Sequence, residues 1–251
     1  MKNIFIIILA LVPDIVLSFN MNTWLDEAGF VEMPIPVGEE WLKANRSDID
    51  FCVIKKDGIV EVKIYSTSCS TRIMLYESNA IKYIGTNHGE WGGNLSVQFK
   101  SGESSILIDR NVVEIIPDNN SLYILTGLAH LSKNEGAIYK VSSLKGKHRV
   151  EKLNVLPSAP LFAIPNAGEK NSFTIVTHDG IVKFKTISRI LNVYAANQFW
   201  RGLYPNSAVQ IENQIIIGMR SGLAIIKLGS GRIESLRYFV HGSNKNDSIE
   251  N

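Results

Sequence analysis

A chain of 251 residues, 45% hydrophobic and 20% charged, has an ordinary globular composition with enough apolar material for a sizeable core. Its formal net charge of +2 is too small to imply nucleic acid or an anionic membrane as partner, and no basic run concentrates it. The two cysteines have no further Cys at metal-ligand spacing, which excludes a zinc ribbon.

Residues 1–18 have the layout of a signal peptide: Lys2 supplies positive charge, Ile4 to Val12 is apolar, and Val16-Leu17-Ser18 offers a cleavage region. The apolar run is too short to span a bilayer and Pro13-Asp14 ends it, so no stable membrane span is expected after cleavage. The chain is therefore expected to be exported, to the periplasm or to the outside. Export permits a disulfide between Cys52 and Cys69, worth roughly 3 kcal/mol for so short a loop. A buried Cys52 beside a free Cys69 is the other reading.

The segment 19–49 is mixed. Pro34 and Pro36 force extended chain, and Gly38 to Lys43 reads as one helical turn or as part of a strand. From Asp50 onward, short β-branched runs alternate with polar turns, the signature of an all-β fold.

The chain also aligns with itself. A shift of 42 residues lays Asn171 to Lys185 on Asn213 to Lys227 without a gap, matching Asn, Gly and Lys. Related hairpins are read at Phe51 to Ile64 around Asp57-Gly58, at Ile81 to Phe99 around Gly93, and at Leu122 to Val141 around Gly136. Five repeats of about forty residues predict a β-propeller of five four-stranded antiparallel blades over residues 50–240, with a six-bladed or irregular ring as the alternative. The fourth repeat is read as strands Leu161 to Ile164, Phe173 to Thr177, Ile181 to Ile187 and Ile190 to Tyr194. The fifth is read as Ala208 to Ile211, Ile215 to Met219, Leu223 to Leu228 and Arg232 to Tyr238. In the first repeat Ile59 to Ile64, taken as a third strand, runs almost directly into the next blade; either a strand is missing or the segment 19–49 completes that blade. Residues 241–251 read as a disordered tail.

Repeats of this length and strand pattern resemble those of β-propeller proteins. The strings NHGEWGG at Asn87 to Gly93, and LYPNSA with GMRSGL between Leu203 and Leu223, resemble exported bacterial proteins without an assigned activity. The chain lacks the repeated Trp-Asp dipeptide of WD40 blades, so the resemblance implies a fold and no function.

Up-and-down strands place the loops between second and third strands on one face, opposite turns such as Asn119-Asn120. The segments leading into each blade emerge on that same face. It gathers His88, Glu90, Trp91, His130, His178, Trp200, Arg201, Tyr204 and Arg220, in a chain with only five His and four Trp. Aromatic rings for stacking and arginines for an anionic group predict a ligand-binding face. His88 and Glu90, on a glycine-rich loop, are also the candidate catalytic pair for a hydrolase or lyase, as a base and its orienting partner. The structural alternative assigns the His, Asp and Gly to β-turns and Trp200 to a plug between blades. Asp57-Gly58 and Asp179-Gly180 are hairpin turns. There is no G-x-S-x-G, H-E-x-x-H, phosphate loop or D-x-D-x-D-G calcium loop. The leading expectation is an exported binding module for a small molecule, a carbohydrate or an exported protein, with no cofactor and no metal.

Overall fold

A computed structural model describes residues 20–56, 59–65, 73–78, 81–118, 121–144, 147–166 and 169–242. The signal-like segment, the turns at Asp57-Gly58 and Asn119-Asn120, Cys69 and nearly all of the expected tail lie outside the described residues.

In chain order, α1 (Met21–Glu27), β1 (Phe30–Met33) and α2 (Gly38–Arg46) precede the hairpin β2 (Asp50–Lys56) and β3 (Ile59–Tyr65). Then come β4 (Ile73–Ser78), β5 (Ile81–Thr86), β6 (Leu95–Phe99) and β7 (Ser104–Ile108), before β8 (Val112–Asp118), β9 (Ser121–His130), β10 (Lys133–Leu144) and β11 (Lys147–Leu156). The last eight strands are β12 (Pro160–Pro165), β13 (Ser172–Thr177), β14 (Gly180–Lys185), β15 (Ile190–Ala195), β16 (Ser207–Ile211), β17 (Gln214–Met219), β18 (Gly222–Leu228) and β19 (Ile233–His241).

Among the described residues the strands form five antiparallel sheets: β2-β3, β4 to β7, β8 to β11, β12 to β15, and β16 to β19 with β1 on the outer edge. First strands of successive sheets neighbour one another, β4 with β8, β8 with β12, β12 with β16 and β16 with β2. Four apolar clusters fill the spaces between sheets; one, for example, joins Tyr83, Leu95 and Val97 to Val112, Ile124 and Val141. Sheets packed face to face around their first strands are the blades of a β-propeller.

The internal repeat has a physical basis. The pair β13-β14 lies 42 residues before β17-β18, and the closing bonds repeat too: Thr186 N donates to Asn171 O and Leu228 N to Asn213 O, both at 2.8 Å. A Cβ at Gly180 would lie 2.3 Å from Ala195 O, and one at Gly222 2.2 Å from Phe239 O. Each glycine therefore opens a third strand directly beneath the backbone of a fourth, where no side chain fits.

Three expectations change. Because β2 neighbours β16 as β16 neighbours β12, β2 is a first strand and β3 a second, so the Asp57-Gly58 hairpin is out of step with the others. The segment 19–49 adds no strand to this first sheet: β1 pairs antiparallel with β19, Phe30 opposite His241 and Met33 opposite Tyr238. The first sheet is covered by α1 instead, whose Met21 and Leu25 pack with Phe51, Val53 and Val60 while Trp24 Nε1 donates to Val60 O at 3.1 Å. Finally, β19 runs on to His241, where the tail was expected to have begun, because its end is pinned by β1 and by Gly242 N donating to Gly29 O at 2.9 Å.

Both helices follow local rules. The Asn20 side chain caps α1 by accepting from Asn22 N and Thr23 N. In α2, Glu39 and Glu40 occupy the first turn and Lys43 and Arg46 the last, the favourable order for the helix dipole. Gly38 to Lys43 is thus the start of a nine-residue helix rather than a strand. Among the described residues no helix is long and apolar enough to cross a membrane.

Candidate functional site on the loop face

The lead-in segments and the loops between second and third strands do meet at one end. His178 N donates to Ala159 O and Arg220 N to Leu203 O, each at 2.8 Å. The candidate residues on this face nevertheless divide into two groups with different surroundings.

The first group is structural. Trp200 is 0% exposed, packed among Val176, Ile181, Ile215 and Ile217, with Nε1 donating to Thr177 O at 3.3 Å. It fills the space between the fourth and fifth sheets and offers nothing to a ligand, which corrects its assignment to the binding face. Arg220 is committed as well: Nη1 donates to Asn45 O at 2.8 Å, Nε lies 3.9 Å from Asp50 Oδ1, and the guanidinium stacks 4.5 Å from the centroid of Tyr204. It ties the C-terminal turn of α2 to the start of β2. Burial pushes the Asp50 carboxyl up, and the charge of Arg220 partly offsets this. The helix α2 lies across this sector, with Trp41 Nε1 donating to Phe199 O at 2.9 Å and Asn45 Nδ2 to Gly202 O at 2.6 Å. Sequence reasoning missed this cover because the helix is remote in sequence from the loops it caps.

Arg201 remains exposed and lines an open depression of about 780 Å³ with Val37, Trp41, Leu42 and Phe199. His178 is half-buried, and its Nδ1 has no hydrogen-bond partner among the described residues. Burial holds its imidazole below the usual range; the Arg201 charge adds to this and Asp179 opposes it.

The second group lies between the second and third sheets. Gly89 to Trp91 form one 3₁₀ turn, closed by Gly92 N donating to Gly89 O at 3.1 Å and His88 N to Gly92 O at 2.9 Å. Buried Asn111, just before β8, pins the turn: Nδ2 donates to Gly89 O at 2.6 Å and Oδ1 accepts from His88 N at 3.4 Å. A Cβ at Gly93 would lie 2.7 Å from Asn111 Oδ1 and 2.2 Å from Thr86 O, so only glycine lets the loop close onto its support. Asn111→Ala removes both side-chain hydrogen bonds that brace the turn, to Gly89 O and from His88 N, and is expected to cost about 1–3 kcal/mol. The checks are a lowered denaturation midpoint and faster amide exchange at residues 88–93.

Held this way, the turn displays Trp91 at 84% exposure. Glu90 reaches across to the next sheet, where its Oε2 lies 2.8 Å from Nε2 of His130, the last residue of β9. Glu90 is therefore paired with His130 and not with His88, which corrects the proton-transfer pair expected from sequence: His88 opens the turn, while the Glu90 side chain crosses to the neighbouring blade. The next residue, Leu131, sits at a φ of 52° and is 93% exposed. Sequence reasoning missed Leu131 because it expected the reversal near Gly136, which is in fact inside β10.

Beside the Glu90–His130 pair a groove of about 290 Å³ is walled by Glu90, Asp109, Arg110, Lys133, Glu135 and Lys152. Arg110 and Glu135 approach to 3.6 Å within it. Among the described residues no group of three His, Cys, Asp or Glu is placed to hold a metal ion.

No family model matches the chain, and no curated protein matches it. It is similar to a chain of a nidogen/laminin complex at 11% identity and a TM-score of 0.45, covering 78% of this chain and 94% of that one. It is also similar to the extracellular domain of a protein described as a putative one component system of B. thetaiotaomicron, at 14% identity and a TM-score of 0.48. That likeness covers 80% of this chain but only 29% of the other. A luciferin-regenerating enzyme gives 8% identity and a TM-score of 0.42, with 77% and 78% covered.

Proposed function

We propose that this chain is an exported β-propeller binding module, and that it takes its ligand in the groove between the second and third sheets. The observation that carries this is Trp91, a large aromatic side chain held in the open on a turn fastened to a buried asparagine, next to the Glu90–His130 pair. A free surface loop has no need of such fastening, whereas a binding site gains affinity from it because little order remains to be imposed on binding. Export is supported by the signal-like residues 1–18 and by Cys52, which is disulfide-bonded, as suits an oxidising compartment.

The test is a nuclear magnetic resonance screen of the full chain, with the Trp91 indole N–H assigned by comparison with Trp91→Phe. The probes are a mixed library of sugars, amino acids, short peptides, nucleosides and small organic acids. At least one class is expected to shift Trp91 together with the Asn111 side-chain amide. Shifts confined to Trp41 and the neighbourhood of Arg201 would move the site to the other sector and contradict this reading.

A further inference from the structure

We propose that the ligand class of this groove is a neutral carbohydrate, stacked on Trp91 and hydrogen-bonded by the charged walls. The inference rests on the binding-module reading and narrows it.

The groove is lined by three acidic residues, Glu90, Asp109 and Glu135, and three basic ones, Arg110, Lys133 and Lys152. Acidic and basic side chains are present in equal number, and their formal charges sum to zero. A phosphate, a carboxylate or an amine would meet like charge on half of these walls, and desolvating that mixture for a singly signed ligand is unfavourable. A sugar hydroxyl both donates and accepts. It can donate to a carboxylate and accept from an ammonium or guanidinium side by side, so vicinal hydroxyls suit walls of mixed sign.

Trp91 is not itself a wall of the groove but stands between Glu90 and Gly92, both of which line it. A pyranose has an apolar C–H face and a polar rim, and an exposed aromatic ring beside charged hydrogen-bonding groups matches both at once. The turn that carries the ring is already fixed, closed by Gly92 N donating to Gly89 O and braced by Asn111. Burying one exposed indole face against a sugar adds apolar contact at little entropic cost. The groove, at about 290 Å³, lies at the small end of small-molecule sites. That fits one end of a glycan with the rest of it in solvent, next to Trp91 at the surface. Leu131, the residue after His130, is also exposed, so a peptide is the competing occupant; an aliphatic side chain contributes less specificity than the mixed charges, which favour the sugar.

The experiment is isothermal titration of the full chain with neutral oligosaccharides of glucose, mannose and galactose, with uronate-containing and sulfated counterparts, and with a random peptide mixture. A neutral glycan is expected to bind. Trp91→Ala is expected to weaken it by roughly tenfold or more, and Trp91→Phe by less. Because Trp91 is exposed, circular dichroism should show both variants folded. Binding by charged glycans or peptides alone, sensitive to Trp91→Ala, would overturn the carbohydrate class and leave the groove reading standing. Neutral-glycan binding indifferent to Trp91→Ala would overturn the class at this groove. If no probe binds and none perturbs Trp91 resonances, both proposals fall.

Discussion

Trp200→Ala is expected to cost about 3–5 kcal/mol in unfolding free energy, the range for removing a fully enclosed large aromatic side chain. The indole is wholly buried in the cluster that joins the fourth and fifth sheets to α2 through Ala44, and its Nε1–H is paired with Thr177 O. Truncation leaves a cavity at a junction between blades and removes the hydrogen bond to Thr177 O. Against a total stability of about 5–15 kcal/mol, such a loss takes a large share. Trp91→Ala, by contrast, removes a ring that is 84% exposed and is expected to move the urea midpoint very little. Equal midpoints for the two variants would contradict the division of the loop face into a structural and a binding sector.

The second large effect concerns Glu114, on β8. The β8–β9 register steps from Val112 opposite Thr126 to Glu114 opposite Leu125, so a bulge re-aims this residue, and its carboxylate accepts from the backbone N–H of Ala163 on β12. Burial pushes the Glu114 carboxyl up to about 7, only partly offset by that bond. An unfolded chain releases this proton near the ordinary glutamate value of 4.5. Between about 4.5 and 7 the folded state therefore holds the proton that the unfolded state has lost, and stability falls as pH rises. At about 1.4 kcal/mol per pH unit the whole interval amounts to roughly 3 kcal/mol, complete once pH exceeds about 7. Glu114→Gln keeps an acceptor for Ala163 N and is expected to abolish this slope, giving a variant more stable than wild type at about pH 8 and roughly equal to it at about pH 4. Denaturation midpoints across that range are the check. A wild-type profile without this fall would show that the Glu114 charge is well satisfied where it sits.

Much of the propeller was legible because its central strands carry β-branched runs at a constant spacing, and because Gly180 and Gly222 solve the same steric problem 42 residues apart. The first hairpin misled because a strand one to strand two turn and a strand two to strand three turn look alike in sequence. Only the packing of β2 against β16 separates them. The short strand β1 was illegible for a related reason: four residues, FVEM, carry too little pattern, and their pairing with β19 joins opposite ends of the chain. At the site, NHGEWGG stood out because glycines around a tryptophan signal a closely held loop. Position in a loop does not reveal the direction of a side chain, however, so Trp200 and Arg220 looked like binding residues while they serve the core and α2. Asn111 and Leu131 were missed because their roles exist only across a junction between sheets or at the reversal of a long hairpin.

The division of the loop face is tested most directly by comparing Trp91→Ala with Tyr204→Ala, two exposed aromatic residues on the two sectors. Tyr204 already carries Arg220 on its ring and belongs to the sector braced by α2. In titrations against the neutral oligosaccharides, Trp91→Ala is expected to lose roughly tenfold or more in affinity while Tyr204→Ala binds as wild type does. Loss of binding by Tyr204→Ala with full binding by Trp91→Ala would contradict it.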